Sequence, residues 1–149
     1  MKIISHRGNV DGIENLNENT IPFIQKSIDI GFDVEIDIWK TEFGLKLGHD
    51  FPKNNVDIDW LMEKREFLWI HCKNLEAFQF LDTFNCFNLF VHDNDPVVIT
   101  TKGYRWYYMG NDAPNGICVL PEQFNKKIIP STKGICTDFP IEFNSDKYE

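Results

Sequence analysis

The segment Asp33-Val34-Glu35-Ile36-Asp37-Ile38 constrains the fold of this chain more than any other. Its alternation is that of a β-strand, in which successive side chains point to opposite faces. Val34, Ile36 and Ile38 then share one face, and Glu35 and Asp37 share the other. The apolar flanks argue that the segment is buried. Two neighbouring buried carboxylates repel each other and lose hydration, so they need a positive partner. A bound cation is the simplest one. An acidic stripe on an edge strand is the alternative reading.

The segment has neighbours of alternating kind. Lys2 to Ser5 reads as a strand closed by His6-Arg7-Gly8, and Asn9 to Asn17 as a polar loop. Ile21, Ile24 and Ile28 repeat at helical spacing, with Asn19 or Thr20 as cap, Pro22 in the first turn and Gly31 as the stop. Leu45 to Gly48 is a short strand that delivers His49-Asp50. A helix over Asp57 to Glu66, a strand over Phe67 to Lys73 and a helix over Leu75 to Thr83 follow. Further strands are expected at 88–93, 97–100, 105–109, 116–121 and 134–140, and the tail from Phe143 is polar.

Strands alternating with helices imply a parallel sheet or barrel. A full (β/α)₈ barrel takes about 250 residues and at least roughly 200. With 149 residues, the chain is expected to form one α/β domain over 1–149. That domain would be a compressed or incomplete TIM-type barrel with short or missing crossover helices.

The formal net charge of -8 argues against nucleic acid and against an anionic membrane surface as partners. No apolar run reaches membrane-spanning length, and Met1 to Ser5 runs straight into His6-Arg7-Gly8 without a leader-like apolar stretch. A cytoplasmic protein without membrane insertion is the expectation. None of the four cysteines forms a C-x-x-C pair, and Cys72, Cys118 and Cys136 lie in apolar runs, as buried free thiols do. Nothing in the pattern specifies an oligomeric state.

Polar residues gather at the C-terminal ends of the expected strands: His6-Arg7, Glu35-Asp37, His71-Lys73, His92-Asp93 and Asp138. That rim is where α/β barrels carry their active sites. All four histidines lie at such ends or, for His49, just after a short strand. Each also has a plainer reading as a packed, hydrogen-bonded histidine. His92-Asp93 could line a pocket or pair with each other. Trp106, Tyr107 and Tyr108 could stack on a ligand or fill the core.

The set His6-Arg7-Gly8, Glu18-Asn19-Thr20, Gly31-x-Asp33-Val34-Glu35-x-Asp37 and Gly48-His49-Asp50 resembles the N-terminal signature of the glycerophosphodiester phosphodiesterases. These are metal-dependent barrel enzymes, related in pattern to spider-type sphingomyelinase D and to phosphatidylinositol-specific phospholipase C. The resemblance covers Ile3 to Asp50 and continues more weakly at His71-Cys72-Lys73 and Gly134 to Asp138. It implies that Glu35 and Asp37 are metal ligands and that His6 and His49 are the acid–base pair; His6 is taken as base and His49 as acid, with the reverse assignment as the alternative. It implies that Arg7 holds a phosphate oxygen, with Lys73 as a second cation, and that Glu18 and Asn19 buttress the site. Asp50, His92 and Asp138 are further pocket candidates.

One position departs from the family. Its third ligand is a carboxylate two residues before a lysine, and here that place is His71. Two carboxylates with one imidazole suit Mn²⁺, Fe²⁺ or Zn²⁺ better than Mg²⁺ or Ca²⁺. The resemblance thus implies a phosphoric diester hydrolase with one divalent ion. Its substrate would be a small glycerophosphodiester or a related sugar or polyol diester. A lyase that stops at a cyclic phosphate, and a non-catalytic module that binds a phosphate ligand, are the alternatives.

Overall fold

A computed structural model describes residues 1–144. The chain folds as a mixed α/β domain around one curled sheet. In chain order the strands are β1 (Lys2–His6), β2 (Asp33–Thr41), β3 (Gly44–Leu47), β4 (Asn54–Asn55), β5 (Leu68–Cys72), β6 (Asn88–Phe90), β7 (Val97–Ile99), β8 (Arg105–Tyr107), β9 (Ile117–Val119) and β10 (Gly134–Thr137). The helices are few and short: α1 (Ile21–Ile30), α2 (Ile58–Lys64), α3 (Leu75–Asp82) and α4 (Pro140–Phe143). No helix among the described residues is long and apolar enough to cross a membrane.

Eight strands curl into a half-barrel in the order β6-β5-β2-β1-β10-β9-β8-β7, with β3 and β4 branching from β2. All neighbours along the curl are parallel except β7, which runs antiparallel to β8. The ladder does not close into a TIM barrel, because β6 and β7 do not pair. One residue spans that gap. Thr101 donates its N–H to the Leu89 carbonyl (2.9 Å). Its hydroxyl donates to the Phe87 carbonyl and accepts the Leu89 N–H, both at 2.8 Å.

The alternation read in β2 governs the layering. Val34, Ile36 and Ile38 face outward and bury under the helices with Ile24, Ile28, Leu61, Ala77 and Leu81. Glu35 and Asp37 face into the curl at 3% and 1% exposure, so they are not an exposed stripe. The inward face is plugged below them by Ile4, Trp69, Trp106, Ile117 and Cys136. Burying this much aromatic surface closes the bottom of the curl and leaves its upper end open as a cavity.

Local sequence explains the framework around β2. Pro22 sits in the first turn of α1, and Gly31 (φ 115°) ends the helix by donating to Ile28 while Phe32 donates to Ser27. Thr20 occupies the cap position but its hydroxyl donates back to Asn17 instead. Asn74 caps α3 through Ala77 and also bonds both backbone groups of Lys40, tying α3 to the end of β2. The helix expected over 57–66 stops at Lys64, and Arg65–Phe67 tightens into a 3-10 turn. β6 and β8 are shorter than the alternation suggested, and α4 takes up the start of the expected tail. The rest of that tail, 145–149, lies outside the described residues. All four cysteines are free, and Cys72, Cys118 and Cys136 are buried.

Candidate functional site

The open end of the curl holds a cavity of about 370 Å³. His6, Arg7, Glu35, Asp37, His49, His71, Lys73 and His92 all line it. Register explains the meeting: His6 pairs with Glu35 across β1–β2, and Asp37 pairs with His71 across β2–β5. In-register residues of neighbouring parallel strands point the same way, so four side chains from three strands converge on one face at two successive levels. Lys73 follows directly, its N–H donated to Ile38.

His49 arrives by another route. Past Glu35, the side of β2 that β1 leaves is taken over by antiparallel β3. Between them Asn19 stands in for a strand: its amide oxygen accepts the Asp37 N–H and its amide nitrogen donates to Asp37 Oδ2, both at 3.0 Å. Gly48 then donates its N–H to the Asp37 carbonyl and accepts the Trp39 indole N–H at 2.7 Å. At φ 155°, a Cβ on Gly48 would collide with the Phe51 carbonyl oxygen. This clamp sets His49 at the cavity mouth.

Electrostatics set three of the acids apart. His6 Nδ1 lies 2.7 Å from Asp138 Oδ1, and its Nε2 lies 3.9 Å from Glu35 Oε2. A carboxylate only accepts, so Nδ1 carries the proton and Nε2 faces the cavity. Burial opposes the His6 charge, but the Asp138 bond and the Glu35 charge outweigh it, leaving its pKa raised. Asp138 is held below the usual carboxylate range, because its bonds to His6 and Asn9 outweigh burial. Glu35 is pushed up to about 7, first by burial and then by the charge of Asp37. Asp37 is lowered, since His71 and Arg7 overcome its burial. His49 is lowered by burial and by Arg7, and His92 by burial and by His71.

His71 is fixed from behind. Its Nε2 donates to the His92 carbonyl at 3.0 Å, and its Nδ1 lies 3.1 Å from Asp37 Oδ1. Yet Asp37 Oδ1 accepts no hydrogen bond, and neither does Glu35 Oε2, though both atoms are buried. Ligand atoms of Glu35, Asp37 and His71 all fall within 4.8 Å of one another. A histidine whose second nitrogen donates to a backbone carbonyl is a common arrangement behind a bound metal. The orphaned oxygens and this donor set fit a divalent cation.

Arg7 (φ 56°) is already engaged: its guanidinium lies 3.3 Å from Asp37 Oδ2 and 3.5 Å from Glu18 Oε1. Glu18, Asn19 and Asp50 line a second, adjoining cavity of about 310 Å³, which Arg7 and His49 share with the first. Asp50 is exposed and bonds His49 Nδ1 at 2.8 Å. The Lys73 side chain makes no hydrogen bond or ion pair among the described residues, so its charge is available to the cavity. The carboxylates at the site (Glu18, Glu35, Asp37, Asp93 and Asp138) outnumber its two permanent cations, Arg7 and Lys73, which favours a further positive charge.

Sequence reasoning missed three contributors. Asn9, fully buried, donates to Glu18 Oε2 at 2.6 Å and Asp138 Oδ1 at 2.8 Å. Glu122 accepts the Asp138 N–H at 2.9 Å. Neither has a local signal, because each acts on a residue far along the chain. The third is an apolar wall from β6, β8 and their sequels, formed by Phe90, Trp106, Tyr108, Met109, Val119 and Leu120. The aromatic run 106–108 was its visible trace, and of that run Trp106 and Tyr108 line the cavity. Compared with known proteins, the chain matches no family model, no curated protein and no solved structure.

Proposed function

We propose that this chain is a metal-dependent phosphodiesterase acting on a small diester with a polyol arm, of the glycerophosphodiester kind. The observation that carries the reading is the pair of buried oxygens, Glu35 Oε2 and Asp37 Oδ1, left without hydrogen bonds beside His71 Nδ1. The motif resemblance supports it, and so does the curled parallel sheet, read as an abbreviated barrel of the TIM type. In this reading Glu35, Asp37 and His71 hold one divalent ion, with Mn²⁺, Fe²⁺ or Zn²⁺ favoured over Mg²⁺ or Ca²⁺ by the imidazole. When bound, such an ion neutralises charge on a phosphoryl oxygen.

The remaining steps belong to the side chains. Lys73 and Arg7 attract the phosphate, Lys73 without a competing partner and Arg7 by exchanging a contact with Glu18. His6 takes the proton from the attacking hydroxyl at Nε2, and Asp138 stabilises the imidazolium through Nδ1–H, as a carboxylate does behind a catalytic histidine. His49, half-exposed at the mouth, gives its proton to the leaving alkoxide, and water then opens the resulting cyclic phosphate with the roles exchanged, His49 as base and His6 as acid, which restores both. Asp138 and Asn9 act as positioning residues.

The test is turnover of glycerophosphocholine and related diesters by the full chain with each divalent ion in turn. Metal-dependent release of the alcohol, lost in His6→Ala, is the expected result. Absence of turnover across the panel with every ion overturns the reading. Phosphorus NMR of the product separates hydrolysis from a lyase reaction that stops at the cyclic phosphate.

A further inference from the structure

The cavity is two-sided. One side, from β1, β2, β3 and β5, carries Glu35, Asp37, three of the histidines (His6, His49, His71) and Lys73. The other, from β6, β8 and β9, is the wall of Phe90, Trp106, Tyr108, Met109, Val119 and Leu120. Its floor is rigid: Phe90 stacks on Trp106 with centroids 4.6 Å apart, and His71 stacks on Phe90 at 5.1 Å. Tyr108 packs against His92 at 5.7 Å, and Met109 is 37% exposed at the lip. On this side Asp93, Tyr108 and His92 also carry polar atoms, and His92 Nδ1 is buried and without a hydrogen-bond partner among the described residues. The adjoining second cavity is different, with Asn15, Glu18, Asp50, Lys53 and Asn54 on its surface. The two meet at Arg7 and His49, the residues placed at the phosphate.

A polyol arm gains little on the carbon surface of Phe90, Trp106, Met109, Val119 and Leu120, because its hydroxyls would lose water without finding partners there. The polar cavity offers those partners. An apolar ring on the wall removes aromatic and aliphatic surface from water on both sides. We infer that the substrate is an asymmetric phosphodiester, with one hydroxylated arm in the polar cavity and one aromatic or bulky apolar arm on the Trp106–Tyr108–Met109 wall. This rests on the phosphodiesterase reading and names the substrate class of that site. A ring heteroatom within reach of His92 Nδ1 would add to the fit.

The experiment compares two alkyl diesters with similar leaving groups, glycerophospho-2-phenylethanol and glycerophosphoethanol, on the full chain with Mn²⁺. A kcat/KM ratio of about 10–100 in favour of the phenylethyl diester is expected. Met109→Glu, which sets a charge at the lip, should bring the ratio close to one, and Met109→Leu should keep it. The ratio is independent of how much of a variant folds, since both substrates meet the same active fraction. Calorimetry with 2-phenylethyl phosphate and ethyl phosphate reads the same preference without turnover. Tighter binding of the phenylethyl compound without turnover keeps the subsite and overturns the hydrolase. Turnover with a ratio near one overturns the subsite. Neither preference nor turnover overturns both.

Discussion

Glu35 is the residue on which the site is least at ease without a cation. Its carboxyl is pushed up to about 7 and its Oε2 finds no donor. Glu35→Gln should therefore stabilise the metal-free protein near pH 8, by about 1–3 kcal/mol. The same change should abolish stabilisation by added Mn²⁺, and thermal unfolding with and without chelator measures both effects. His71 decides which ion is taken. His71→Asp replaces the imidazole by a carboxylate and should shift preference from Mn²⁺ or Zn²⁺ toward Mg²⁺ or Ca²⁺, read by calorimetric titration. An unchanged order of affinities would remove His71 from the ligand set. These residues were legible in the sequence because a strand end fixes which way its side chains point. Their partners were not. His6 and Asp138 lie 132 positions apart, and only the β1–β10 register brings them together.

Among the elements, β2 carried the clearest pattern and the structure follows it: apolar residues outward, acids inward. The helices were legible by their spacing and stops: α1 ends at Gly31 as read, α2 and α3 end two residues and one residue short, and α4 had no signal in the pattern. The curl's seam was not legible, since no alternation announces that a threonine side chain will take the place of a strand. Thr101→Val removes one acceptor and one donor at once and strands the Leu89 N–H. A loss of about 1–2 kcal/mol is expected in urea unfolding. β3 has a similar single point of control at Gly48. Gly48→Ala should displace the 48–53 loop, through φ and through collision with Phe51, and so misplace His49. Activity should then fall by more than tenfold with little change in metal affinity.

The whole molecule responds to pH through the same buried groups. The Glu35 and His6 pKa values are raised on folding, so each favours the folded state below its unfolded value and loses that contribution as pH rises through its folded value. For Glu35 the window runs from the ordinary carboxylate value to about 7; for His6 it lies above 6.5. His49 and His92, both lowered, act in the opposite sense but only below 6.5, so the metal-free protein should melt lower at pH 8.5 than at pH 6.5. Metal binding needs the deprotonated ligands, so Mn²⁺ should add more stability at the higher pH, about 2.7 kcal/mol at a hundred times its Kd. The open seam has a further consequence. The first half, through β6, contains the larger outer core, and the second half meets it along β1–β10, at the aromatic plug, at a smaller cluster where Ile135 and Cys118 pack with Ile3, at the bonds of Asp138 and Ile141 to Gly12 and Val10, and at Thr101. The exposed stretch around Asn94 and Asp95 joins the two. A protease nick there severs no ladder, so the pieces should stay together on gel filtration. Made separately, they should complement each other, with activity returning only on mixing, because one piece carries His6 and the other its Asp138.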